Sequence, residues 1–189
     1  MIRICILGEI GSGKSFVAKN FGYPVFNADK EVGELYKKDK KVFNKLKKVL
    51  PKFFRSFPID KKDVTSAILE NKSNLKKIIT IIHLEIKKKM NNFLNKNKNK
   101  KIVILDIPLL LENRINKNKD ILVFVQSKKS EIFKRLKKRI NFNIKLFSKF
   151  RNIQLSSNYK KKKSNFIIKN DFTKNSIRKE IKYILNQIS

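Results

Sequence analysis

Eight residues near the start of the chain, Gly8-Glu9-Ile10-Gly11-Ser12-Gly13-Lys14-Ser15, restrict it more than anything else in its sequence. An apolar run at residues 2–7 leads into them, and residues 14–21 read as a helix leading out. A short apolar strand, a glycine-rich turn and a helix in direct succession start a parallel α/β sheet. Glycines at positions 8, 11 and 13 allow backbone conformations and close approaches that a Cβ would obstruct. Successive N–H groups then face one centre at a helix N-terminus, a place that attracts anionic oxygen. Ser12 belongs to the same turn. Lys14 adds a cation that reaches the outer phosphates of a nucleotide, and the Ser15 hydroxyl is placed to ligate Mg²⁺. The spacing G-x-x-x-x-G-K-[ST], flanked by strand and helix, is that of a phosphate-binding loop. It implies nucleotide binding and leaves the reaction open.

The rest of the chain fits the same architecture. Gly22-Tyr23-Pro24 breaks the first helix, and Val25-Phe26 reads as a short strand ending near Asp29. From residue 30 to about residue 99 the pattern is helical and Lys-rich, with breaks expected at Pro51, Pro58 and 71–74. Ile78, Ile79, Ile82 and Ile86 recur there at helical spacing. Strand character returns at Ile102-Val103-Ile104-Leu105 and at residues 121–125. Residues 129–139 form an amphipathic helix with Ile132, Phe133, Leu136 and Ile140 on one stripe and Arg135 and Arg139 off it. One further helix is expected over 144–163, a last short strand at Phe166-Ile167-Ile168, and a closing helix over 175–188. No internal repeat is found, and the tract at 95–101 reads as an exposed connection.

Length and composition set outer limits. The 189 residues suffice for one α/β domain with helical insertions. No apolar run approaches the roughly 18 residues of a membrane span, and residues 1–7 run straight into a strand, so neither a membrane anchor nor a leader is expected. The one cysteine, Cys5, excludes an internal disulfide and suits a reducing, cytoplasmic setting; inside the first strand it reads as an inert core residue. The formal net charge of +32 has two readings. A polyanion partner such as nucleic acid is one. The other is a drift toward Lys, Asn, Ile and Phe along the whole chain, as in an A/T-rich genome. The lysines are dispersed over nearly every expected helix, which favours drift, so no specific nucleic-acid partner is expected.

Further motifs occur in a telling order. After the loop come Asn27-Ala28-Asp29, Ile82-His83-Leu84, Pro108-Leu109-Leu110-Leu111-Glu112 directly after a strand, and Lys134-Arg135 on a helix. Gln154, Lys160 and a strand running to Asn170 follow. Over nearly its whole length the chain resembles the dephospho-CoA kinase family, and the Pro-Leu-Leu-x-Glu element is far more specific than the loop alone. The resemblance implies transfer of the γ-phosphoryl of MgATP to the ribose 3′-hydroxyl of dephospho-CoA. It matches Asp29 to the catalytic carboxylate, a general base for that hydroxyl. Preceding a helical stretch, Asp29 also fits a helix cap. Arg135 matches the lid arginine that neutralises charge on the transferred group; on sequence alone it also fits an i,i+4 pair with Glu131. The family pattern further implies nucleotide contacts from Gly8, Gly11, Ser12, Gly13, Lys14, Ser15, Phe16 and Arg139. For the acceptor it implies contacts from His83, Pro108 and Leu109. Asp106, at the end of its strand, joins Ser15 as a candidate Mg²⁺ ligand.

The chain departs from the family pattern in several places. Asn27 replaces the first carboxylate of Asp-Ala-Asp, Glu9 brings a negative charge into the loop where Gly is usual, and Phe16 replaces a Thr. Ile140 stands where an Asp commonly follows the arginine, and Arg151 is one residue out of register before Gln154.

The expected fold is a three-layer α/β P-loop NTPase fold with about five parallel strands, a helical substrate-binding insertion and a helical lid. Its expected parts are a nucleotide-binding core at 1–29, 100–130 and 164–189, a helical acceptor-binding insertion at 30–99, and a lid at 131–163. Expected partners are ATP, Mg²⁺ and dephospho-CoA. The rivals are another P-loop small-molecule or nucleoside monophosphate kinase, and a nucleic-acid-binding P-loop protein.

Overall fold

A computed structural model describes residues 1–139 and 142–188. Its centre is a five-stranded sheet of order β2-β3-β1-β4-β5. The strands are β1 (Ile2–Gly8), β2 (Val25–Asn27), β3 (Ile102–Asp106), β4 (Ile121–Gln126) and β5 (Phe166–Lys169). Every pairing is parallel. The order explains why β1 and β3 are apolar apart from Arg3 and the closing Asp106: both lie between other strands, and a parallel sheet covered on two faces needs apolar residues on both sides. β1 is the central strand, so the loop that follows it opens at the middle of the sheet's C-terminal edge, where open α/β sheets bind ligands.

On one face Ile4 and Ile6 of β1, Ile104 of β3 and Val123 of β4 pack with Val17 and Ala18 of α1 (Lys14–Asn20). Ile177, Ile181 and Ile184 of α9 (Lys174–Ile188) complete this core. Spaced by three or four residues, they present one apolar stripe, and each buried side chain contributes about 1.5–3 kcal/mol. α8 (Ser157–Lys163) packs on β1 and β4. At the start of the sheet Arg3 Nη2 lies 2.9 Å from Asp120 Oδ2, with both side chains buried. Asp120 also accepts from the Lys117 amide at 2.8 Å.

The chain divides into two units. The first comprises 1–27, 97–143 and 150–189 and contains the sheet; the second comprises 28–96 and 144–149. The second is helical, built on α2 (Ala28–Lys38), α3 (Lys40–Val49), α4 (Lys61–Glu70) and α5 (Lys72–Lys96). The long α5 buries Leu75, Ile78, Ile82, Ile86 and Met90 on one stripe, and Ile79 falls to its edge. The break expected at 71–74 is confined to Asn71. Its Oδ1 accepts from the Ser73 amide at 2.9 Å, so the next helix starts at once. Asn74 lies inside α5 and donates its side-chain amide to Ala67 O at 3.0 Å.

Two more expectations change. The helix expected over 144–163 is two helices, α7 (Ile144–Ile153) and α8. Ser156 caps the second, accepting from the Tyr159 amide at 3.2 Å, while the Leu155 amide donates to Glu112 Oε1. Both bonds compete with a continuous helix. In α6 (Lys129–Lys137) Ile132 and Leu136 are buried, but Phe133 is exposed, a quarter-turn off the stripe beneath Lys137. Ile140 lies outside the described residues. Among the described residues no helix is long and apolar enough to cross a membrane.

Candidate active site

The Gly8–Ser15 loop connects β1 to α1, and it is held from several sides. Lys14 Nζ donates to Glu9 O at 2.8 Å and to Gly8 O at 3.2 Å, so the ammonium gathers the loop's own entry carbonyls. The Ser12 amide donates to Glu9 O at 3.1 Å. From outside the loop, Asn170 Nδ2 and Ser127 Oγ both donate to Ser12 O, at 2.8 and 2.9 Å. Ser12 is itself buried, and its hydroxyl has no hydrogen-bond partner among the described residues.

Two glycines are required by their surroundings. Gly13 has φ 89°, and a Cβ there would lie 2.3 Å from Asn170 Nδ2 and 3.0 Å from the Phe172 ring. Gly11, with φ 85°, would place a Cβ 3.0 Å from both Ile132 and Leu136. The apolar stripe of α6 thus packs directly against the turn, and the loop's shape is fixed before any ligand arrives. A cradle already folded loses little entropy on binding.

Ser15, Asn27 and Asp106 meet at the ends of three elements. Asn27 closes β2 and Asp106 closes β3, and the two are register partners on adjacent strands. Asn27 Nδ2 donates to Asp106 Oδ2 and lies 3.3 Å from Ser15 Oγ. Asp106 is almost fully buried. The two candidate metal ligands are therefore joined through one amide. Phe16 is half-buried at the edge of the sheet core.

Arg135 is exposed on α6, with its guanidinium 4.1 Å from the centre of the Phe172 ring. Such a stack is worth about 0.5–1 kcal/mol at an exposed position. The pairing with Glu131 weighed on sequence is not the one found: Glu131 bonds Lys134 at 3.2 Å. Phe172 holds a left-handed φ of 67°, and its amide donates to Asn170 Oδ1 at 2.8 Å. Asn170 thus fixes the loop with one end of its amide and Phe172 with the other. Arg139 follows α6 and is exposed.

Pro108 and Leu109 open a turn after β3, and both are half-buried. The motif ends at Glu112, whose Oε1 accepts from Lys160 Nζ at 2.7 Å and from the Leu155 amide at 3.0 Å. Lys160 is 3% exposed and Glu112 9% in their side chains, so this ion pair is shielded from water. Sequence reading singled out both residues without joining them, since 48 positions separate them.

Asp29 sits in the first turn of α2, exposed, two residues after Asn27 along the chain. The helix starts at Ala28, so Asp29 lies inside it and is not its cap. A carboxylate in a first turn is favoured by the helix dipole. His83 is half-buried on α5, and burial pushes its imidazole below the usual value. Cys5 is fully buried, with Sγ donating to Asp120 Oδ2 at 3.5 Å. Burial, reinforced by Asp120, pushes its thiol far up, which makes it the inert residue expected.

Comparison with known proteins finds matches along nearly the whole chain. The family model described as Dephospho-CoA kinase matches residues 2–176. A dephospho-CoA kinase of Wolbachia pipientis wMel is 32% identical, covering 98% of this chain and 97% of its own length. One from Ehrlichia canis (strain Jake) is 31% identical, covering 100% of this chain and 97% of its own. Among solved structures, TT1252 from Thermus thermophilus has a TM-score of 0.81 at 22% identity, covering 100% of this chain and 98% of that one. Dephospho-CoA kinase from Campylobacter jejuni has a TM-score of 0.61 at 21% identity, covering 100% and 99%. With the loop, the Pro-Leu-Leu-Leu-Glu element and the whole-length match in agreement, the chain belongs to the dephospho-CoA kinase family.

Proposed function

We infer that the chain, as a member of that family, is an ATP-dependent kinase that moves the γ-phosphoryl of ATP to the ribose 3′-hydroxyl of dephospho-CoA. The products are coenzyme A and ADP. The observation that carries this reading is the Gly8–Ser15 loop, braced through Ser12 O and Lys14, in a chain matched to the family from residue 2 to residue 176.

The residues divide the work as follows. Backbone N–H groups of Gly11, Gly13, Lys14 and Ser15 hold the phosphates, with Gly8, Ser12 and Phe16 shaping the turn. Lys14 exchanges its carbonyl partners for phosphate oxygens and stabilises charge as the γ-phosphoryl leaves. Asp29 accepts the proton of the acceptor hydroxyl. Arg135 and, more weakly, Arg139 neutralise phosphate charge. His83, Pro108 and Leu109 contact the acceptor, with 30–99 serving as the acceptor-binding insertion and 131–163 as the lid. Lid closure excludes water, so that the acceptor hydroxyl takes the phosphoryl.

Ser15 Oγ and Asp106 suit Mg²⁺, which takes one or two protein oxygens together with substrate phosphates. Among the described residues no group of three or more His, Cys, Asp or Glu gathers to cage an ion, and a kinase site needs none. Held there, the ion would neutralise charge developing on the nucleotide's terminal phosphates. The setting proposed for this reaction is the cytoplasm.

An acceptor panel tests the assignment. With MgATP, dephospho-CoA is expected to release ADP and to gain a 3′-phosphate, while adenosine monophosphate stays unmodified. Preference for adenosine monophosphate would move the chain to a different acceptor class.

A further inference from the structure

The loop carries one acidic side chain, Glu9, and it stands where a phosphate-binding turn gains nothing from a negative charge. Its neighbourhood explains how the chain tolerates it. Glu9 Oε1 accepts from Ser157 Oγ at 2.6 Å, and both side chains are half-buried. Meanwhile the backbone carbonyl of the same Glu9 receives Lys14 Nζ at 2.8 Å. The residue with the unwanted charge is therefore the one that touches the functional cation. Freed of that bond, the carboxylate of a residue whose backbone already touches the Lys14 ammonium would compete for that cation and repel the incoming phosphates.

Ser157 is suited to prevent this because its own position is fixed. It opens α8, which packs on β1 and β4. Three residues on, Lys160 is buried against Glu112 at 2.7 Å, and two residues before, the Leu155 amide donates to the same carboxylate oxygen. Ser156 between them caps the helix. The hydroxyl that meets Glu9 is thus presented by a segment tied down on both sides.

We propose that Ser157 is a positioning residue for nucleotide binding: it holds the Glu9 carboxylate off Lys14 and off the phosphates. This rests on the reading that the Gly8–Ser15 loop holds the phosphates of ATP. Its consequence is a coupling between two positions far apart in sequence. Losing the serine harms nucleotide affinity only while a carboxylate is present at position 9.

Calorimetric titration of ADP with Mg²⁺ into four proteins tests it: wild type, Ser157→Ala, Glu9→Gln, and the double variant. Ser157→Ala is expected to weaken Kd by roughly 5-fold in the wild-type background, a common size of coupling between adjacent groups, and by less than about 2-fold in the Glu9→Gln background. Damage to α8 alone would weaken both backgrounds equally, so equal losses overturn the proposal, as does no loss in either. A wild type that binds no nucleotide removes the reading of the loop itself, and the inference with it.

Discussion

The side-chain amide of Asn27 donates to the carboxylate of Asp106, its register partner on the neighbouring strand, and also approaches the Ser15 hydroxyl. The family pattern has a carboxylate at the first of these positions. In this chain the amide gives the buried Asp106 a donor where the family pattern would place a second carboxylate.

Asn27→Asp is therefore expected to set two carboxylates against each other and to remove a buried donor. A loss of about 1–3 kcal/mol is expected, read by denaturant unfolding at neutral pH. Exchanging the pair, N27D with D106N, restores one donor and one acceptor and should recover most of that loss. An Asn27→Asp protein as stable as wild type would show that the amide has no such role.

The Glu112–Lys160 pair is shielded from water, so removing one partner strands the other. Lys160→Ala is expected to cost about 3–5 kcal/mol. Replacing Lys161, which is half-exposed and outside the pair, should cost less than about 0.5 kcal/mol. Thermal melts of the two variants, compared side by side, check the contrast.

Cys5 combines full burial with a neighbouring carboxylate, and both raise its thiol. A thiol reagent at mildly alkaline pH should leave the native protein unlabelled and modify its one cysteine once denaturant is added. Rapid labelling of the folded chain would contradict the packing of β1.

His83 is held below its ordinary value of 6.5 by burial, so the folded state favours the neutral ring. The unfolded chain then binds more protons as pH falls from 6.5, and folding stability declines in that direction. His83→Gln removes this contribution. Its stability difference from wild type should be constant above about pH 7.5 and should shift in favour of the variant below 6.5. A difference independent of pH would rule the effect out.

Much of the fold was readable in the chain because its signals are local. Ile102–Leu105 and Ile121–Val125 are apolar and rich in β-branched residues over strand lengths, and the loop's glycines lie at fixed spacing. Where signals were not local, the reading fell short. The 144–163 segment carries helical pattern throughout, and what divides it is an amide drawn to Glu112, a residue more than forty positions away. Phe133 matched an apolar stripe by type, yet it is exposed, while Ile132 and Leu136 face Gly11. Within the site, the loop was legible from spacing, whereas its clamps were not. Asn170, Ser127 and Phe172 converge on Ser12 and Gly13 from other strands and turns, and no spacing rule links them. The Glu9–Ser157 bond is of the same kind. Its only sequence trace is an acidic residue where the loop usually has none.

In the proposed mechanism Lys14 is the loop side chain whose charge acts on the phosphates directly. Lys14→Ala is expected to lower kcat by about 10²–10³, the cost of losing one preorganised charge contact. Steady-state assay with saturating dephospho-CoA reads it, and near-normal turnover would refute the role.

The most direct measurement is a crystal structure of the chain grown with ADP and Mg²⁺. The account predicts the β-phosphate against the backbone amides of Gly11 to Ser15, with Lys14 Nζ moved from the Gly8 and Glu9 carbonyls to a phosphate oxygen. Nucleotide bound at another surface, with that turn empty and Lys14 still on its carbonyls, would contradict it.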